Sequence, residues 1–318
     1  MVIFGNSNDN LSMVRNLKNY LVITLKGIAM GAADVVPGVS GGTIAFVAGI
    51  YEELIDTISK INFGAIRILK KKGFIQAWKH INGNFLLALG IGIFISILSL
   101  AKVIKYLIEN EAVLVWSFFF GLVLASVFYI GKQIQRWNLG LIIILLAGAI
   151  AAFYITKIPP QQTEITNIFI FFSGALAICA MILPGISGSF ILLLLGAYKP
   201  VLDAIHDKNY NLLFFLGLGA VIGLLSFSKL LKWLFDHYER LTLAVLTGFI
   251  IGSLNKIWPW KKVLDYEMID GKMKVLREES VSPFAFEGDN RLLLAIGLFL
   301  IGMGSIFLLE QLAKKKKV

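Results

Sequence analysis

Two short stretches of this sequence combine proline, glycine and small hydroxyl residues within apolar surroundings. Residues 33–43 read ADVVPGVSGGT, and residues 181–189 read MILPGISGS. Proline and glycine interrupt a helix, and the residues after each interruption can begin a new one. The first N–H groups of a new helix lack intrahelical acceptors, and its dipole places about half a positive charge there. Both stretches therefore have the residue types of an anion-binding site, such as one for phosphate.

The predicted phosphate site contains residues of both stretches. Ser40 is the expected N-cap of the first new helix, and the three amides after it are expected to point outward without partners. The predicted phosphate-binding residues are Pro37, Gly38, Ser40, Gly41, Gly42, Thr43, Pro184, Gly185, Ser187, Gly188 and Ser189. The alternative is that these small residues only allow close helix packing in lipid. Their recurrence in both motifs favours binding.

Three ionisable residues near the first motif are candidates for coupling or for charge compensation: Lys26, Asp34 and Glu52. A charged, unpaired carboxylate is costly inside a membrane, so we expect Asp34 to be a proton-coupling or gating group. Local pairing of Asp34, for instance with Lys26, is the alternative. Lys26 either neutralises a bound anion or extends to the membrane surface. Glu52 is a coupling candidate, or else forms a solvated pair with Glu53.

The composition predicts a polytopic membrane protein. Of 318 residues, 57% are hydrophobic and 16% are charged, and the mean hydropathy is +0.79. Several apolar runs reach roughly 18 residues, the length at which a spanning helix is expected. The net charge of +10 comes largely from clusters beside apolar runs, at 70–72 and 314–317. Such clusters are typical of cytoplasmic loops that face anionic lipid, so no nucleic-acid partner is predicted.

Metal and cofactor chemistry has little support in this sequence. With one cysteine and three scattered histidines, no intrachain disulfide, metal site or cofactor is predicted. The first residues lack the pattern of a signal peptide, and no cleaved leader is expected.

The chain reads as two copies of one unit. Residues 26–58 align with residues 173–205, and residues 84–108 align with residues 211–235, so that the two motifs coincide. Each copy is predicted to contain a broken, re-entrant hairpin followed by two spanning helices. The predicted helices of the first copy are 20–36, 43–59, 85–108 and 112–130. Those of the second copy are 168–183, 189–205, 212–235 and 241–256.

The predicted fold is therefore all-α, a polytopic membrane protein with two inverted repeats, each with a re-entrant helical hairpin plus two transmembrane helices. The chain is a single membrane domain, 1–318. Its predicted parts are repeat 1 at 20–130, a joining helix at 139–155, repeat 2 at 168–256, an external loop at 257–290 and a C-terminal transmembrane helix at 292–309. Each repeat crosses an even number of times and the joining helix once, so the second repeat is inverted.

Basic residues set the predicted orientation. The segment 67–79 and the lysines at 314–317 fall on one side of this topology, which places that side and both termini in the cytoplasm. A half-helix over 43–59 rises about 25 Å, less than the hydrocarbon core of roughly 30 Å. Its turn is therefore expected near the middle of the membrane, where backbone groups must be buried in protein or line a hydrated cavity.

The motifs PGVSGGT and PGISGS, with GIYEELI after the first, resemble those of the PopT-type family associated with undecaprenyl-phosphate translocation. The resemblance covers nearly the whole chain. It implies a transporter in the bacterial cytoplasmic membrane that returns this lipid carrier to the inner face for reuse in cell-wall synthesis. The implied partners are undecaprenyl phosphate or a related polyprenyl phosphate and membrane lipid, with protons or another ion as coupling candidates.

An enzyme is the main alternative. The motifs are also similar to those of BacA-type undecaprenyl-pyrophosphate phosphatases, which carry a Pro-Gly-x-Ser-Arg-Ser signature. Gly41 and Gly188 stand where that arginine would be, so the bidentate clamp for phosphate charge is missing. Binding without hydrolysis is favoured, and no catalytic residue is predicted. A transporter of a small anion, or one coupled to an ion, is the remaining alternative.

Overall fold

The fold is all-α, as the sequence predicts, apart from one β-hairpin. The computed structural model describes residues 15–36, 39–158, 161, 163–269 and 272–315. Its helices are Leu17–Val35 (α1), Gly41–Val47 (α2), Tyr51–Ser59 (α3), Phe63–Lys72 (α4), Phe74–His80 (α5), Gly83–Asn110 (α6), Ala112–Gly131 (α7), Leu139–Lys157 (α8), Asn167–Ile182 (α9), Gly188–Leu194 (α10), Tyr198–His206 (α11), Tyr210–Ser253 (α12) and Leu292–Lys315 (α13). Two 3-10 turns are Leu254–Ile257 and Pro283–Ala285.

Within the described residues, four helical stretches are long and apolar enough to cross a membrane. They are Gly83–Leu100 of α6, all of α7, all of α8, and α12 with the turn that follows it. The bent pair α10 and α11 makes a fifth if it is counted as one span. Helices α9 and α13 contain shorter apolar stretches, Asn167–Ile182 and Leu292–Phe307. The apolar runs of the sequence thus become helices of membrane dimensions.

Each hairpin has a second break that the sequence analysis did not predict. The predicted helix 43–59 is divided into α2 and α3, with Gly49 between them at φ 67°. The predicted helix 189–205 is divided in the same way at Gly196, φ 75°, and α10 and α11 are bent by 106°. Glycine adopts this left-handed conformation at little cost, so it ends each half-helix early.

Helix α12 contains both predicted spanning helices of the second copy. The chain stays helical through the position where a loop was expected, except at Tyr238, whose φ of −137° and ψ of 41° bend the run. The predicted loop 257–290 also differs, because Lys261–Ile269 (β1) and Lys272–Ser280 (β2) pair as an antiparallel hairpin. Lys261 lies opposite Ser280 in this register.

The two copies pack their first spanning helix in the same way. In the first copy, Gly27 of α1 and Gly92 of α6 are positions where a Cβ would lie 2.4 and 2.1 Å from a backbone oxygen of the facing helix. The aligned Gly174 of α9 and Gly219 of α12 give corresponding distances of 2.3 and 1.9 Å. Glycine therefore allows the same close helix approach at aligned positions of both copies.

The second spanning helix of each copy packs against the helix that follows the other copy. A Cβ on Gly121 of α7 would lie 2.1 Å from the Phe299 oxygen of α13, and one on the aligned Gly248 of α12 would lie 2.2 Å from the Leu145 oxygen of α8. The joining helix α8 and the last helix α13 therefore have equivalent places. Each of these two helices packs on a glycine of the predicted copy that it does not follow, a relationship that the sequence analysis did not identify.

Candidate functional site

The first motif forms a buried helix start in which every amide after the cap has an acceptor. Ser40 is 1% exposed and is the N-cap, as predicted, with its Oγ accepting from the Gly42 amide at 3.1 Å. The Thr43 amide donates to the Ser40 carbonyl oxygen at 2.9 Å. The Gly41 amide donates to Asp34 Oδ1 at 2.7 Å. Pro37 and Gly38 lie outside the described residues.

The expectation that these amides would be free is therefore wrong for this structure. Asp34, on the last turn of α1, folds back over the turn and places its carboxylate at the positive end of α2. A Cβ on Gly41 would lie 2.5 Å from Asp34 Oδ2, so only glycine leaves room for this approach. Asp34 occupies the position at which the sequence analysis expected a bound phosphate.

Lys26 contacts the opposite end of the same short helix. Its ammonium group donates to the carbonyl oxygen of Ala48, the residue that caps the C-terminus of α2. A cation at a helix C-terminus is favourable because it meets the negative end of the dipole. Asp34 and Lys26 thus hold the two ends of α2, and the described contact of Lys26 lies away from the turn.

The two motifs contact each other directly. The Ser40 hydroxyl lies 3.1 Å from the Met181 carbonyl oxygen and 3.2 Å from that of Leu183. Thr43, also 1% exposed, accepts from the Gly185 amide through its Oγ1 at 2.9 Å. The hydroxyls predicted for phosphate binding in the first motif therefore join it to the turn of the second hairpin.

The second motif is the more open of the two. Ser187 and Ser189 share a hydroxyl hydrogen bond of 2.9 Å, and Ser189 is exposed. Met181 stands where the first copy has Asp34, so this helix start lacks the corresponding carboxylate. Pro184, Gly185 and Gly188 are buried. Gly185 has φ 92°, and a Cβ there would lie 2.7 Å from Ser253 Oγ, so this turn requires glycine.

The two motifs lie in a region that matches a known protein family. Residues 30–274, which include both of them, match the family described as undecaprenyl phosphate translocase-like. The chain belongs to this family. It is 48% identical over 308 residues to the polyprenyl-phosphate transporter of Vibrio cholerae serotype O1, an alignment that covers 95% of this chain and 100% of the relative. It is 33% identical over 254 residues to the polyprenyl-phosphate transporter of Staphylococcus aureus, covering 74% and 85%.

No solved structure matches the chain. The family membership confirms the resemblance stated above, and with its membrane-length helices it makes the chain a multi-pass membrane protein. Among the described residues, no three His, Cys, Asp or Glu side chains group as they would around a metal ion.

Glu52 lies apart from the two motifs. It is exposed on α3, beyond the break at Gly49, and the charges that act on it belong to Lys232, Asp236 and Glu239 of α12. Lys232 also pairs with Asp56 of α3 at 3.1 Å. The structure therefore places Glu52 in a charged cluster where α3 meets α12.

The adjacent Glu53 anchors the base of the first hairpin. Arg15 contacts both carboxylate oxygens of Glu53, at 2.7 and 2.8 Å. The side-chain amide of Asn82 donates to Glu53 Oε1 at 2.8 Å. Sequence reasoning missed Arg15 and Asn82, because nothing in their local sequence marks a partner so far along the chain.

Proposed function

We propose that this chain carries a polyprenyl phosphate, with undecaprenyl phosphate as the bacterial substrate, across the cytoplasmic membrane. The observation that carries the proposal is the direct contact of the two motifs through Thr43 and Gly185, beside a helix end that Asp34 occupies. The relatives named polyprenyl-phosphate transporters support it. The head group would bind at the two helix starts while the tail remains in lipid.

Asp34 is the proposed coupling group. A phosphate and the Asp34 carboxylate compete for the same Gly41 amide, because both are anions that favour a helix N-terminus. Head-group entry therefore requires Asp34 to leave this amide. A carboxylate released inside a membrane is stabilised by protonation or by water. Alternation between Asp34 and phosphate at this position would couple lipid movement to proton uptake.

The second motif is the proposed first contact of the head group within the hairpins. Ser189 is exposed, and Ser187 lies within hydrogen-bond distance of it. Two hydroxyls donate to phosphate oxygens without introducing a charge that would trap the ligand. Gly188 instead lets the start of α10 pack closely on α9, because a Cβ there would lie 2.7 Å from the Ala177 carbonyl oxygen.

Lys26 and Glu52 have indirect roles in this proposal. Lys26 keeps α2 in place through the Ala48 carbonyl, which positions the Gly41 amide at the other end of the helix. Glu52 belongs to the charged cluster with Lys232, where α3 moves relative to α12 if the first hairpin opens. Both residues would then affect transport rate more than head-group affinity.

We also propose that the second repeat is inverted and that both termini face the cytoplasm. The ion pairs at the base of the first hairpin, Arg15 with Glu53 and Lys232 with Asp56, then lie on the cytoplasmic side. The short helix α4 begins with the exposed Phe63, ends in three lysines and is followed by the exposed Phe74, a composition suited to the surface of an anionic leaflet. The β-hairpin then lies outside.

Hydrolysis is disfavoured by the space around Gly41. A BacA-type arginine at this position would begin with a Cβ 2.5 Å from Asp34 Oδ2, so it would displace the carboxylate from the helix end. The charged clamp expected of a phosphatase therefore does not fit beside Asp34.

The deciding experiment follows a fluorescent polyprenyl phosphate across the bilayer of proteoliposomes. Wild-type protein should move the lipid, and Gly41→Leu should abolish the movement because its side chain enters the space of Asp34. Gly90→Leu is the matched control, because a Cβ at Gly90 has no atom within 4 Å. Phosphate release from undecaprenyl pyrophosphate would establish the enzyme instead. Uptake of a soluble anion without lipid movement would refute lipid transport.

A further inference from the structure

A cavity of about 150 Å³ lies between the second hairpin and the β-hairpin. One wall is apolar and comes from α10, through Phe190, Leu193 and Leu194. The other wall is charged. Its main residues are Lys256, in the 3-10 turn after α12, Lys261 of β1 and Glu278 of β2.

Both lysines converge on one carboxylate oxygen. Lys256 Nζ and Lys261 Nζ each lie 2.9 Å from Glu278 Oε1. Lys261 also donates to the Lys256 carbonyl oxygen and lies 4.7 Å from the centre of the Trp116 ring of α7. These contacts fix its ammonium group, so the positive wall is preorganised. Two ammonium groups facing one carboxylate leave a net positive charge, and the two other charged lining residues, Lys157 and Glu279, offset each other.

The positive wall is buried, and its charges are therefore poorly hydrated. Burial lowers the pKa of Lys261, since a buried ammonium group loses hydration. Burial alone would raise the pKa of Glu278, but Lys261 and Lys256 outweigh it and hold that pKa below its ordinary value. Glu278 therefore stays ionised and neutralises only one of its two partners.

We propose that this cavity is a docking site for the phosphate monoester head group of a lipid, bound by Lys256 and Lys261 in exchange for Glu278. The inference rests on the proposed function, because transport supplies a reason for such a lipid to be present. It adds a site, at the β-hairpin, that is separate from the two motifs.

The chemistry of the cavity fits a phosphate monoester better than a carboxylate. At neutral pH a phosphate monoester has a charge of about −1.5 to −2, which matches two ammonium groups, whereas Glu278 supplies only one charge. Lysine binds phosphate as a point charge and tolerates several orientations, so the head group can enter and leave. The apolar wall of α10 suits the first carbons of a lipid tail.

The side chain of Phe190 links the cavity to the second motif. Lys256 Nζ lies 5.0 Å from the centre of the Phe190 ring, and Phe190 directly follows the exposed Ser189. A head group released by the lysines would therefore meet the hydroxyls of the second motif next. The cavity would capture the lipid before the hairpins receive it.

The test measures binding of farnesyl phosphate, inorganic phosphate and farnesol to full-length protein in nanodiscs. Lys256→Gln should weaken farnesyl phosphate binding about tenfold, the scale of one charge-assisted hydrogen bond. Glu278→Gln should strengthen it by about the same factor, because the competing carboxylate is removed. Lys262→Gln is the control, since Lys262 is next to Lys261 on β1 but pairs with Glu287 at the exposed surface.

The opposite signs distinguish docking from a structural role. If both variants weaken binding, or neither changes it, the cluster only anchors the β-hairpin and the inference is wrong. Equal affinity for inorganic phosphate and farnesyl phosphate would overturn the assignment to a lipid. Lipid movement by the wild-type protein is measured in parallel. If the wild-type protein moves lipid but neither variant changes farnesyl phosphate binding, the docking site is refuted and transport is not. If Lys256→Gln weakens binding and Glu278→Gln strengthens it, but the wild-type protein moves no lipid, only the transport function is refuted.

Discussion

The Asp34 carboxylate accepts a hydrogen bond from the Gly41 amide at 2.7 Å, seven residues further along the chain. This contact closes the turn between α1 and α2 and fills the helix end with a negative charge from the protein itself. It makes Asp34 the acceptor of the first amide of α2 and, in the proposed function, a competitor of the bound phosphate. The two roles can be separated by substitution.

Asp34→Asn tests the charge of this side chain separately from its role as a hydrogen-bond acceptor. The asparagine oxygen can still accept from the Gly41 amide, so the fold should be retained, but it cannot take up a proton at this position. We expect lipid movement in proteoliposomes to lose its response to an imposed proton gradient, and head-group binding to be retained or strengthened. A wild-type response to the gradient in Asp34→Asn would exclude Asp34 as the coupling group.

Gly41→Ala tests the space between these two residues. The added Cβ would lie 2.5 Å from Asp34 Oδ2, so the carboxylate must shift and the amide loses its acceptor. We expect a loss of about 1–3 kcal/mol of stability, measured by thermal unfolding in detergent, together with reduced lipid movement. Gly90→Ala, in open space on α6, should not destabilise the protein. Equal melting temperatures for both variants would contradict the tight contact.

Thr43→Val tests the junction of the two motifs. Valine has nearly the shape of threonine but leaves the Gly185 amide buried without its acceptor, at a cost of about 1–3 kcal/mol. Thr43→Ser keeps the hydroxyl and should restore most of the stability. We expect the order wild type, serine, valine in thermal unfolding and in the rate of lipid movement. A valine variant as stable as the serine variant would show that this hydrogen bond contributes nothing.

The sequence predicted features that depend on residue type within a few positions. Ser40 is the N-cap of α2, as its residue type and its place directly before the helix indicated. The breaks at Gly49 and Gly196 were missed because the apolar pattern continues across them. A glycine inside a helical pattern predicts a break only when tertiary packing requires a left-handed residue there.

The cluster around Glu278 could not be predicted for a different reason. Its partners, Lys256 and Lys261, are 22 and 17 residues away, and they meet it only through the register of the β-hairpin. The segment 257–290 has mixed charges without clear alternation, so it reads as an exposed loop. The fold-back of Asp34 was missed in the same way, because amphipathic pattern does not specify a turn of this kind.

The Glu278 cluster also predicts a pH dependence for the β-hairpin. Because the pKa of Glu278 is lower in the folded protein than in the unfolded chain, its pairing stabilises the fold above its ordinary pKa. This stabilisation is lost as the pH falls through the lower, folded value. The amide protection factors of β2, which correct the exchange rates for their intrinsic pH dependence, should therefore fall on acidification. The dependence should be absent in Glu278→Gln and retained in Glu279→Gln, whose side chain is exposed on the same strand.

The close contacts of Gly121 and Gly248 predict that the two copies respond alike to one substitution. A Cβ on Gly121 or on the aligned Gly248 would lie 2.1 or 2.2 Å from a facing backbone oxygen, and neither helix can withdraw without separating α7 from α13 or α12 from α8. Alanine at either position should cost about 1–3 kcal/mol in thermal unfolding. The two costs should add in the double variant because the sites share no partner. Gly297→Ala, on α13 but in open space, is the control, and a strong effect in only one copy would contradict their equivalence.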